Sequence, residues 1–98
     1  METIHKHIVL GILAHVDVVA EGNPQLWDFD PYHLTEKDGI LYGRGIVDDK
    51  GPVIASLYAL KKIKEAGIPL KKKLRLIIGT SEEIQWTDMD HYKEEFEL

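Results

Sequence analysis

The sequence contains no cysteine, so it forms no disulfide, and any metal site must use histidine and carboxylate ligands rather than thiolates. It also lacks a long apolar run. The longest, from about Ile8 to Ala14, is far shorter than the ~20 residues of a membrane-spanning helix, and the N-terminus has no signal-peptide layout. These absences predict a cytoplasmic protein without a membrane partner.

Positive charge is scarce as well. The formal net charge is −5, and the one dense basic run, Lys71 to Lys73, lies beside a predicted strand, so we expect no nucleic-acid partner. Hydrophobic residues make up 44% and charged residues 30%, which is typical of a folded protein rather than a disordered one. At 98 residues the chain is one small domain or part of a larger one.

Two mostly apolar runs, Ile8 to Val19 and Lys73 to Gly79, predict strands that are covered on both faces. Between them, residues 21–31 are rich in turn-forming residues and predict a loop. A hairpin is expected to follow, pairing Tyr32–Thr35 with Ile40–Tyr42, because an Asp-Gly dipeptide supplies the positive φ angles of a tight turn.

Helical spacing of apolar residues predicts a helix from Gly51 to Ala66, opened by Pro52 and closed by Gly67. A shorter helix is expected from Thr87 to Phe96, capped by Thr87 or Asp88. The order strand, hairpin, helix, strand, helix predicts an α/β fold, a three-layer sandwich with a largely parallel central sheet. No linker or domain boundary divides residues 1–98.

Three acidic or histidine-containing clusters each fall at or beyond the end of a strand or hairpin, where open α/β sheets usually bind their ligands. The first is His15-Val16-Asp17. Residues two apart in a strand project to the same side, so His15 can offer a ring nitrogen to a metal while Asp17 orients the ring. The alternative is a histidine that is simply hydrogen-bonded to a neighbouring carboxylate.

The second cluster is Asp48-Asp49, just before the predicted helix. Adjacent carboxylates repel each other unless a cation or the helix dipole compensates. Asp49 could therefore act as a helix cap. Alternatively, Asp48 could bridge two divalent ions ~3.5–4 Å apart by offering one oxygen to each.

The third cluster is Glu82-Glu83, directly after the second strand. One glutamate could hold a metal while the other receives a proton from water. A solvated acidic loop is the alternative. Taken together, the three clusters supply imidazole and carboxylate ligands that suit zinc, cobalt or manganese.

The segments around these clusters resemble one family. Gly11 to Val19, Leu41 to Pro52 and Ile77 to Glu83 are similar, in this order, to motifs of the co-catalytic zinc metallopeptidases of the M20 family, and most of all to PepV-type dipeptidases. The resemblance runs through nearly the whole chain.

The resemblance implies a role for each cluster. His15 would be a ligand of the first zinc ion, Asp48 the ligand that bridges the two ions, and Glu83 a ligand of the second. Glu82 would be the general base, and Asp17 would orient His15. Relatives also have a cis peptide after the bridging aspartate, which here would join Asp48 to Asp49.

The function expected from this resemblance is that of a zinc-dependent dipeptidase acting on dipeptides or small peptides, with Co²⁺ or Mn²⁺ as alternatives to two Zn²⁺ ions. Residues 1–98 would form part of the catalytic domain, without its lid domain and C-terminal half, and would be inactive alone. Two alternatives stay open: a noncatalytic remnant or metal-binding or interaction module, and an N-acyl amino acid deacylase or carboxypeptidase. A homo-oligomer is also left open.

Overall fold

The computed structural model describes residues 5–96, with side chains described from Ile8 to Tyr92. Its regular elements, in chain order, are four strands and two helices with these bounds: β1 His5–His15, β2 Thr35–Lys37, β3 Ile40–Tyr42, α1 Gly51–Ala66, β4 Lys72–Gly79 and α2 Thr87–Phe96. None of the described helices is long and apolar enough to cross a membrane.

Strands β1 and β4 form a parallel pair, which confirms the predicted α/β fold with a parallel sheet. Their register runs from Val9 opposite Lys73 to His15 opposite Gly79, so both strands end at the same edge of the sheet. Helix α1 lies between them in sequence and contacts both. Side chains just beyond His15 and Gly79 therefore lie at the same end of the sheet, the carboxyl end of both strands.

The predicted first strand is too long at its C-terminal end. The strand was expected to reach Val19, but β1 ends at His15. The backbone NH of Val16 donates a last hydrogen bond to the Gly79 carbonyl at 3.0 Å. Because β4 also ends at Gly79, the apolar residues up to Val19 have no strand to pair with in β4.

The hairpin forms a separate two-stranded antiparallel sheet, β2 with β3. Its loop is the dipeptide Asp38-Gly39, with φ values of 54° and 78°, as the Asp-Gly pair predicted. The first strand of the hairpin is Thr35–Lys37 rather than the expected Tyr32–Thr35. A two-residue loop places Lys37 opposite Ile40, which shifts the paired strand toward the turn.

The two helices have the predicted bounds. Helix α1 ends at Ala66, and the Gly67 that follows it has a φ of 65°, the left-handed conformation common after a helix. The buried apolar side chains of the described core are few, namely Ala14, Val53 and Ile77. In contrast, Leu10 and Leu13 of β1 are more than half exposed, so part of the apolar surface of this sheet is uncovered within the described residues.

Candidate metal centre

The three predicted clusters meet at the carboxyl end of the sheet. His15 is the last residue of β1, and Glu82 and Glu83 follow β4 after a short connection. Asp48 lies in the turn Ile46–Lys50 that precedes α1. Parallel pairing of β1 and β4 therefore brings together residues that are more than 60 positions apart in the chain.

His15 is held in place by three contacts. It is only 6% exposed. Its Nδ1 lies 3.0 Å from the backbone oxygen of Asp17 and 3.3 Å from Oδ1 of the same residue. Its backbone NH donates to Oδ2 of Asp49 at 3.0 Å. Nδ1 faces the Asp17 carbonyl, to which it can donate a proton, and Nε2 faces the site, 3.0 Å from Oδ1 of Asp48.

Four carboxylates surround Nε2 of His15. The nearest oxygens are those of Asp48 at 3.0 Å, Glu82 at 3.6 Å, and Glu83 and Asp49 at 4.0 Å each. Two groups of three residues offer ligand atoms that all lie within 4.8 Å of one another: His15, Glu82 and Glu83, and His15, Asp48 and Asp49. Each of these two groups, which share His15, offers three ligand atoms close enough together to hold a cation.

Asp17 orients the glutamates as well as the histidine. Its Oδ1 accepts a hydrogen bond from the backbone NH of Glu82 at 3.1 Å, and its Oδ2 accepts one from Glu83 at 2.9 Å. Burial works to raise the pKa of Asp17, but the hydrogen bonds from Glu83 and Glu82 outweigh it and the pKa is lowered. Asp17 therefore stays ionised while both of its oxygens are occupied by the backbone.

The turn that carries Asp48 has an irregular backbone. Gly45 has a φ of 91°, and a β-carbon there would lie 2.6 Å from Val18, so the position requires glycine. The peptide bond between Asp48 and Asp49 is cis, as the family resemblance implied. The Asp48 side chain is 72% exposed and is directed at His15.

The Asp49 carboxylate has a different role from the one considered from the sequence. It was considered as a cap of α1, but the helix has no side-chain cap, and the Asp49 carboxylate instead accepts the backbone NH of His15. The capping reading is therefore wrong. Sequence reasoning missed Asp49 as a member of the site because its partner lies 34 residues away, although the adjacent carboxylates were a signal.

The site carries a large excess of negative charge. Five carboxylates surround one imidazole, and among the described residues no lysine or arginine forms an ion pair with any of them. Burial favours a lower pKa of His15, but hydrogen bonds to Asp17 and Asp48 and the charges of Glu82 and Asp49 raise it. Burial and the charges of Glu82 and Asp48 raise the pKa of Glu83. These carboxylates favour a positive charge at the position that Nε2 faces.

Trp86 is a further neighbour of the site. Its ring meets the His15 ring edge-on, with centroids 6.1 Å apart and planes at 80°. The residue has a φ of 55°, in the left-handed region that is uncommon for tryptophan. It therefore covers His15 from the side of the connection between β4 and α2.

Comparison with known proteins identifies the family. The model of the family described as "Peptidase family M20/M25/M40" matches residues 11–94, which include every residue of the cluster around His15. The chain belongs to this family.

Two relatives illustrate the similarity. "Putative dipeptidase YtjP" of Bacillus subtilis (strain 168) is 46% identical over 84 residues, which are 86% of this chain and 18% of that protein. "Beta-Ala-Xaa dipeptidase" of Lactobacillus delbrueckii subsp. lactis is 43% identical over 84 residues, which are 85% of this chain and 17% of that protein. The chain thus spans less than a fifth of the length of these relatives.

Proposed function

We propose that these residues carry part of the metal site of a zinc-dependent dipeptidase. The observation that carries the proposal is the ring of four carboxylates around Nε2 of His15, in a chain whose relatives include proteins named as dipeptidases. Imidazole and carboxylate oxygens are a donor set that suits zinc, with cobalt or manganese as substitutes. The excess negative charge supports the fit, because a divalent cation would compensate it.

In this proposal His15, Asp48 and Glu83 hold the metal. Asp48 belongs to one of the two possible ligand groups and Glu83 to the other, and both groups share His15. By the family resemblance, Asp48 would be the residue that holds both ions, with His15 on the first and Glu83 on the second. When bound, zinc supplies a Lewis acid that polarises a carbonyl and lowers the pKa of water.

Glu82 is the proposed general base. Its Oε2 lies 3.6 Å from Nε2 of His15, and its side chain is 35% exposed, so it reaches both the site and solvent. Glu82 would take a proton from water and return it to the amine that leaves when the peptide bond breaks. Asp17 keeps His15 and the backbone of Glu82 oriented for these roles.

The substrate proposed is a dipeptide or another small peptide, and the protein is expected to act in the cytoplasm. The 98-residue chain on its own should show little turnover. In the proposed assignment His15 and Asp48 would hold one ion and Asp48 and Glu83 the other, so each would have two protein ligands, whereas a catalytic zinc usually has about three. Loss of substrate positioning removes further catalysis.

A chimera tests the function. The 84 matching residues of the Lactobacillus Beta-Ala-Xaa dipeptidase are replaced by those of this chain, and hydrolysis of β-alanyl dipeptides is measured with zinc, cobalt or manganese. We expect turnover that is lost in the Glu82→Ala and Glu82→Gln variants, with the unmodified relative as positive control. An N-acetyl amino acid and a tripeptide in the same panel test the deacylase and carboxypeptidase alternatives.

A folded chimera that binds zinc but hydrolyses no dipeptide would contradict the proposal. It would favour a noncatalytic metal-binding module. Turnover that survives in Glu82→Ala would contradict the role of Glu82 instead.

A further inference from the structure

The connection between β4 and α2 is held by two carboxylates. Asp17 accepts the backbone NH groups of Glu82 and Glu83. Asp88, in the first turn of α2, accepts the backbone NH of Thr80 at 2.6 Å. The backbone that leads to and carries the two glutamates is therefore bound by two different carboxylates.

Ser81 exchanges two hydrogen bonds with Asp88, one as donor and one as acceptor. Its hydroxyl donates to Oδ1 of Asp88 and accepts the backbone NH of Asp88 at 2.9 Å. The Ser81 residue is only 6% exposed. Its carbonyl also accepts the backbone NH groups of Ile84 and Trp86, at 3.1 and 2.8 Å. Ser81 is therefore the residue on which the hydrogen bonds of this connection converge.

The end of β4 leaves room for this arrangement only because residue 79 is glycine. Gly79 is buried, and a β-carbon there would lie 3.1 Å from Oδ2 of Asp88 and would collide with the Trp86 ring. The carboxylate of Asp88 therefore sits directly over the last residue of the strand. From there it contacts the two residues that lead to Glu82.

We propose that Asp88 is a positioning residue which, through Ser81 and Thr80, fixes the connection that presents Glu82 and Glu83 to the metal. This inference rests on the proposed function, because only there do the two glutamates receive their roles. The reason is geometric. Asp17 holds the amides of the glutamates, but the backbone between Gly79 and Glu82 is held by Asp88, and groups around a metal act only when their supporting contacts keep them in place.

The test combines backbone hydrogen exchange with zinc titration of the 98-residue chain. In Asp88→Ala we expect the amides of Glu82 and Glu83 to exchange faster and the affinity for Zn²⁺ to fall about tenfold, the lower end for partners beyond the direct ligands. Ser81→Ala should act in the same direction. Asp88→Asn should recover most of the affinity, because its amide oxygen can still accept the Thr80 NH.

Two controls separate positioning from general stability. Asp28→Asn removes an exposed carboxylate away from the site and should change neither readout. Ile63→Ala removes a half-buried side chain near the C-terminal end of α1 and should lower the melting temperature without changing zinc affinity. Equal losses of zinc affinity in Ile63→Ala and Asp88→Ala would overturn the proposal.

The Glu83→Gln variant distinguishes failure of the positioning role of Asp88 from failure of the proposed metal site. If Glu83→Gln weakens zinc binding while Asp88→Ala changes neither exchange nor affinity, the positioning role is wrong and the proposed function stands. Faster exchange without weaker zinc binding in Asp88→Ala would also overturn the positioning role. If Glu83→Gln itself has no effect on zinc binding, the proposed metal site fails, and the role of Asp88 toward it fails too.

Discussion

Replacing Asp48 by asparagine is expected to weaken zinc binding more than replacing Asp17 by asparagine. Asp48 directs Oδ1 at Nε2 of His15, at 3.0 Å, and no backbone NH of the described residues binds it. Asp17 binds two backbone NH groups and faces Nδ1 instead. The first change removes a proposed ligand, and the second removes only a support.

The exposure of Asp48 sets the size of the effect. Its side chain is 72% exposed, so its charge acts through a dielectric close to that of water. Unit charges about 4 Å apart in water interact by roughly 1 kcal/mol, so one carboxylate beside a divalent ion contributes roughly 2 kcal/mol. Contact with two ions would double this to roughly 4 kcal/mol over the two binding steps together, on the order of 1,000-fold in the product of the two dissociation constants. Loss of a supporting group such as Asp17 typically costs about 10–100-fold.

Calorimetric titration of the chain with zinc chloride measures both variants, with Asp28→Asn as a control that removes an exposed carboxylate elsewhere. Hydrogen exchange adds an independent check. Asp17→Asn leaves one acceptor for two NH donors and should speed exchange at Glu82 or Glu83, whereas Asp48→Asn should not. Equal losses of affinity, or a larger loss in Asp17→Asn, would refute the assignment of Asp48 as the bridging ligand.

Three further measurements follow from particular contacts. The hydrogen bonds from Ser81 and Thr80 lower the pKa of Asp88 below its ordinary 3.8, so the stability they give is complete above that value and is lost as the pH falls through the lowered pKa. The Asp88→Asn variant should not show this loss of stability when it is unfolded by acid. Gly79→Ala should lower the melting temperature, because the added β-carbon meets the Trp86 ring. The Tyr32 hydroxyl donates to Glu21 at 2.6 Å, which raises the tyrosine pKa, so Glu21→Gln should return the spectroscopic titration of Tyr32 toward 10.0; an unchanged titration would contradict the contact.

Local sequence signals predicted the parts of the fold whose boundaries depend on local chemistry. Helix α1 begins and ends where Pro52 and Gly67 indicate, because these residues set the backbone angles at the two helix ends. The Asp38-Gly39 loop was predictable for the same reason. The parallel pairing followed from two apolar runs separated by a helix, since such runs suit strands covered on both faces.

The errors occurred where a partner distant in sequence decides the outcome. The apolar run up to Val19 continues past the end of β1, because strand length depends on where β4 ends and not on local hydrophobicity. Asp49 was one candidate cap of α1, but its carboxylate binds the backbone NH of His15 instead. The contact of Asp88 with the backbone of Thr80 was likewise not predicted, because a single sequence carries no signal for such pairings.

The carboxylates near the site fall into two kinds that sequence could not separate. Asp17, Asp49 and Asp88 each accept backbone NH groups from another segment, so their oxygens hold the loops together. In the described part of the chain, Asp48, Glu82 and Glu83 accept no backbone hydrogen bond through their side chains, and each has an oxygen within 4.0 Å of Nε2 of His15. Hydrogen bonds from backbone NH groups stabilise a carboxylate without a metal. The negative charge of several carboxylates that face one imidazole is not fully compensated. The second group consists of the two proposed carboxylate ligands, Asp48 and Glu83, and the proposed base, Glu82. The hydrogen-bond pattern therefore supports the same assignment as the family motifs by an independent route.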